Sequence, residues 1–134
     1  MRRPFSKRFI FQERGATAAE FALVLAPLIL LTLGSINVGL MVYTSSTLHF
    51  AAQDAARCAS VRPTICNSAT IQDYGVARYK GATAAPAFTL TKEPDDSAVC
   101  PDGNLVVATA DYNFTTGLTS NVVPLSAQAC YPAA

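Results

Sequence analysis

RGATAAEFALVLAPLILLTLGSINVGLMVY, residues 14–43, decides how the rest of the chain is read. After Glu20 no Asp, Glu, Lys or Arg occurs until Asp54. Phe21 to Tyr43 is a run of 23 uncharged, mostly apolar residues. As a helix it is about 34 Å long, at about 1.5 Å per residue, against a hydrocarbon core of about 30 Å. The run is therefore expected to span a membrane, within a helix that begins near Ala16. An ordinary anchor needs no carboxylate at the mouth of such a run. A charge there is costly unless it is paired or sits at the interface, so Glu20 asks for a reason.

The residues around Glu20 supply one. Gly15 is followed by Ala16, Thr17, Ala18 and Ala19, all small, and then by Glu20. A cut after Gly15 makes Ala16 the first residue and Glu20 the fifth. With the basic residues ahead of it, this spacing resembles the class III signal of type IV pilins and pseudopilins. RGATAAEFALVLAPLILL, continued by HFAAQDAARCASV, is most similar to the TadE-like pseudopilins of tight-adherence (Tad, Flp) pilus systems. Those read RG-x-x-A-x-EFAL, then a proline within the apolar run, then a helix ending in a small-residue AAR motif. Here these are Arg14 to Leu23, Pro27, and Ala55-Ala56-Arg57. The resemblance covers roughly residues 8–62. It implies that a prepilin peptidase removes residues 1–15 on the cytoplasmic side, between Gly15 and Ala16, while the apolar helix is kept.

Charge is distributed to match. Residues 1–15 carry five basic groups against one acid, a net +4, and the remainder carries five against eight, a net −3. Positive charge before a span places that end in the cytoplasm. A basic arm for nucleic acid is the rival reading, but no basic patch recurs and an apolar run follows at once. A Sec signal peptide is another rival. Its cleavage site should follow the apolar region, whereas this run continues into a helix-like segment.

Cys58, Cys66, Cys100 and Cys130 all lie beyond the span. An even count in a small extracytoplasmic region reads as two disulfides, with three possible connectivities. The pairing favoured is Cys58 with Cys66, closing a short loop at the helix end, and Cys100 with Cys130, tying a turn to the C-terminal segment. No pair is spaced C-x-x-C and the single histidine, His49, is read as a polar residue outside the membrane, so no metal is expected. There is no G-x-S-x-G, no phosphate-binding glycine loop and no obvious carboxylate pair. Asp95-Asp96 and Asp102-Gly103 read as turn chemistry, the latter with a weak cation site as its alternative. The chain is expected to be neither an enzyme nor a cofactor binder.

Taken in order, the expected organisation is a basic leader (1–15), a transmembrane helix (16–43), an amphipathic continuation (44–62) and a periplasmic domain (63–134). Pro27 should kink the helix, and Arg62-Pro63 should end it. Ser35 and Gly39 make a small-xxx-small pair, either a packing face for other helices or a feature lipid tolerates. Leu48, Ala52, Ala55, Ala56 and Ala59 form the stripe expected to carry the domain. Residues 68–80 predict a short helix with a Thr70–Asp73 capping box, ended by Gly81. Strands are predicted at 87–93 and 105–114, with a third between Leu125 and Tyr131. The fold class is thus α+β, a long helix continuing into a short helix and a small antiparallel sheet.

Two functions fit. In the first, the chain is a minor pilin-like (pseudopilin) subunit needed for pilus assembly. Its partners would be the prepilin peptidase, other pilin-like subunits and the inner-membrane assembly platform, with no nucleic acid. In the second, it is a single-span accessory or binding protein with a periplasmic recognition domain. Glu20 has two readings as well. It pairs with the ammonium created at Ala16, on its own chain or a neighbour's, or it sits in the first turn and is stabilised by the helix dipole.

Overall fold

The structure, a computed structural model, describes residues 12–94, 97–115 and 119–133. Most of the expected leader and the Asp95-Asp96 pair lie outside the described residues. Helix α1 runs from Gln12 to Val61, 50 residues, and passes through Pro27. It is therefore about 75 Å long at about 1.5 Å per residue. It begins ahead of Ala16, so the expected cleavage point lies within helical backbone. It stops where expected. Arg62 N–H still bonds Cys58 O at 2.8 Å, and Pro63 then breaks the ladder.

The helix has two unlike halves. From Thr17 to Leu33 every residue is exposed, with Phe21, Leu23, Val24 and Leu31 each about two thirds or more open. From Leu48 onward one stripe is covered: Leu48, Ala51, Ala52, Ala55, Ala56 and Ala59 are buried. Alanines on that stripe let a sheet lie close to the helix backbone.

That sheet has three antiparallel strands in the order β1-β2-β3: β1 (Ala87–Lys92), β2 (Gly103–Thr115) and β3 (Ser120–Pro132). The alternation of β2 turns Val106, Ala108, Ala110 and Tyr112 inward and leaves Thr109, Asp111 and Asn113 exposed. Phe88 from β1 and Ala127 and Ala129 from β3 complete the inner face. All three strands fall where expected, but β2 and β3 are longer. β3 runs through Pro124, and its place at the sheet edge tolerates a residue that has no N–H to give a ladder.

Helix α2 (Ile71–Arg78) is shorter than expected and starts later. Thr70 makes no side-chain cap. Its hydroxyl donates to Ile65 O at 2.6 Å and accepts Asn67 N–H at 3.0 Å, so it is used by the preceding turn. The helix ends at Tyr79, ahead of Gly81. Gln72 joins α2 to β1 with both ends of its amide, donating to Pro86 O at 2.9 Å and accepting Phe88 N–H at 2.6 Å. Gly75 allows the close approach. A Cβ there would stand 2.5 Å from the Phe88 ring.

Two disulfides complete the domain, Cys58–Cys66 and Cys100–Cys130. The first fixes the turn after α1, where Cys66 N–H also bonds Arg62 O at 2.9 Å. The second ties the turn before β2 to the end of β3. Gly103 makes room for it, since a Cβ there would meet Cys100 Sγ at 2.5 Å and Tyr131 O at 3.0 Å.

Candidate functional site

The residues singled out from the sequence are strung along α1 rather than gathered in a pocket. Gly15 and Ala16 lie within α1, close to the first residues the structure describes. Glycine costs a helix interior about 1 kcal/mol relative to alanine.

Glu20 is exposed, and its side chain makes no ion pair or hydrogen bond to another described residue. Among the described residues its carboxylate is open to a partner. Ser35 and Gly39 are likewise exposed, and a Cβ added at Gly34 or Gly39 would meet nothing within 4 Å. This side of the helix is smooth and uncovered.

The polar side chains within the apolar run look after themselves. Thr32 Oγ1 donates to Ile29 O and Ser35 Oγ to Thr32 O, both at 2.9 Å, while Asn37 Nδ2 donates to Leu33 O at 3.0 Å. Bonds back to the helix's own carbonyls satisfy these donors without help from solvent. α1 is long and apolar enough to cross a membrane once.

Two contacts that the sequence did not disclose join the halves of the molecule. Tyr112, buried on β2, donates its hydroxyl to Asn37 O at 3.1 Å across 75 residues of chain. At the opposite end Asn104 Nδ2 donates to Ser60 Oγ at 3.0 Å. β2 therefore lies along α1 and runs toward its N-terminal end. It reaches into the segment expected to be membrane span. Neither contact has a local signal, since both depend on strand register and not on spacing.

A small charged cluster holds α2 to α1. Arg78 Nε lies 3.3 Å from Asp54 Oδ2, Tyr74 donates to the same oxygen at 3.4 Å, and the guanidinium stands 5.1 Å from the Tyr74 ring centre. Both charged side chains are about half exposed, which limits the pair to a modest contribution. Asp54, Arg57, Arg78, Phe50 and Tyr131 line an open groove beside it. His49 is exposed on the helix. Asp102 holds a positive φ of 45° in the turn leading into β2, a conformation Asp accepts more readily than most residues.

A long helix, bare over its first half and carrying a small disulfide-tied sheet on its second, defines a helix-borne domain with one candidate membrane span among the described residues. Within that class, residues 15–57 match the family model described as TadE-like protein, and over this segment the chain carries the TadE-like signature. The match begins at Gly15, takes in Glu20 and the whole apolar run, and ends at Arg57 of the AAR motif. No curated protein and no solved structure matches the chain.

Proposed function

We propose that the chain is a minor pilin-like (pseudopilin) structural subunit of a Tad-type pilus, processed by a prepilin peptidase between Gly15 and Ala16. The observation that carries this reading is the family match over residues 15–57, because it joins the cleavage spacing, Glu20 and the span in one unit. In this account the chain crosses the bacterial inner membrane once. Its basic N-terminus is cytoplasmic, and the sheet domain is periplasmic. Its role is structural rather than catalytic, and it needs no cofactor.

The mechanism rests on Glu20. Cleavage leaves an ammonium at Ala16, four residues away at the lipid edge. Pairing offsets the cost of a carboxylate near hydrocarbon, about 2.5–3.5 kcal/mol at a helix centre and less toward the interface. Intermolecular pairing sets one helix in register against the next. The uncovered Ser35–Gly39 side lets helices approach, and the carried domains lie beyond the membrane where other pilin-like subunits and the assembly platform meet them. The exposure of Glu20 supports this.

Glu20→Gln tests it. The variant should be inserted and cut like the parent but fail to support pilus formation. Normal pilus numbers on Glu20→Gln cells would leave only the helix-dipole role, worth about 0.3–1 kcal/mol.

A further inference from the structure

The expected span and the observed sheet compete for the same helix. If Glu20 marked the inner edge of the hydrocarbon, about 20 residues of helix would place the outer edge near Leu40. Yet Tyr112 already bonds the helix backbone at Asn37. β2 then continues to Thr115, paired with Ser120, so the hairpin end lies about 10 Å nearer the N-terminal end of α1 at about 3.4 Å per residue. With α1 immersed as far as Tyr43, that end would sit deep in hydrocarbon. Open strand edges are not tolerated there, because their backbone groups find no partner.

We propose that the end of the β2–β3 hairpin rests in the interfacial layer of the membrane's outer face and sets how far α1 is immersed. The spanning segment is then shifted toward the N-terminus, so that Asn37 stands at the interface, Tyr43 lies in water and Glu20 lies inside the hydrocarbon edge rather than at its mouth. The hairpin end has the chemistry for such a seat. No Asp, Glu, Lys or Arg occurs after Asp111 in the whole chain. Val122 is 61% exposed beside Asn113, its partner across the ladder. Phe114 is half-buried, and the uncharged Thr115 and Ser120 form the last pair of the ladder. Aromatic and small polar groups without charge suit the headgroup boundary. Lipid is the occupant because the chain's own helix delivers this end to the membrane surface. The inference rests on α1 spanning the bilayer, not on the pilus role.

The chain has no tryptophan, so single introduced indoles report depth without background. The full chain, with both disulfides formed, is reconstituted in phosphatidylcholine vesicles brominated either near the acyl carboxyl end or near mid-chain. Leu31→Trp should lose most of its emission to both lipids. Val122→Trp should be blue-shifted and lose emission to the shallow bromines alone, and Asn113→Trp on the neighbouring strand should repeat this. Tyr43→Trp should be untouched by either. Quenched Tyr43→Trp with unquenched Val122→Trp and Asn113→Trp would overturn the proposal, placing the hairpin clear of lipid. Unquenched indoles at Val122 and Asn113 that also resist iodide would overturn it in favour of self-association. An unquenched Leu31→Trp chain would overturn the spanning reading beneath it.

Discussion

The two halves of α1 obey different rules although they form one continuous helix. The half from Thr17 to Leu33 presents Leu, Ile, Val and Phe on every side, and no described residue covers it. The half from Thr44 to Ser60 buries one narrow stripe made mostly of alanine, under a sheet. Large apolar side chains are thus spent where protein contact is least, and the smallest where it is closest. In water this would be an inversion. It makes sense if lipid solvates the first half, since an all-round apolar helix without covering protein suits a membrane span. The second half needs close approach more than side-chain bulk. Volume there comes from the sheet, through Val106, Phe88 and Tyr112.

Breaking the carried half should cost the most. Replacing Cys100 and Cys130 together by Ser is expected to destabilise the domain by about 2–5 kcal/mol, because the bridge closes the longer of the two loops. Insertion of α1 should be unaffected. Limited proteolysis of membrane-embedded protein separates the two effects: the domain becomes labile while the span stays protected.

Next comes volume on the stripe. Ala56→Leu forces a larger side chain between helix and sheet and should cost about 1–3 kcal/mol in denaturant unfolding of the domain. Leu31→Ala, the reverse exchange on the bare half, should leave that unfolding curve where it is. Equal losses from the two would erase the distinction between the halves.

Much of this comparison was legible in the sequence, and for physical reasons. Charge exclusion between Glu20 and Asp54, period-two alternation around Val106 to Tyr112, and the breaker at Pro63 are local signals, and each marked its element. Illegible features depended on partners distant in the chain. Thr70 looks like a cap, but its hydroxyl is taken by Ile65 O. Gln72 carries no local signal, yet it holds α2 to β1. Tyr112 alternates correctly, but nothing nearby tells that it bonds Asn37 and brings the sheet down over the end of the apolar run. β3 was underestimated because Ser120, Asn121 and Pro124 are poor strand formers that an edge position permits.

The smallest effect belongs to the charged cluster. Arg78→Ala removes the contacts to Asp54 and Tyr74, but these are half exposed and screened, so a loss of about 0–1 kcal/mol is expected, shrinking further at high salt. Salt-dependent unfolding of this variant against the parent checks it. A larger loss, unmoved by salt, would mean that α2 is held by the cluster and not by Ile71, Gly75 and Gln72.

The account as a whole depends on the bare half being the retained helix of a processed subunit. N-terminal sequencing and intact mass of the membrane-extracted protein test that most directly. The account predicts a chain that starts Ala16-Thr17-Ala18-Ala19-Glu20, lacks residues 1–15 and keeps the whole apolar run. A mature form starting at Met1, or one starting after Ser45 with the apolar run removed, would contradict it.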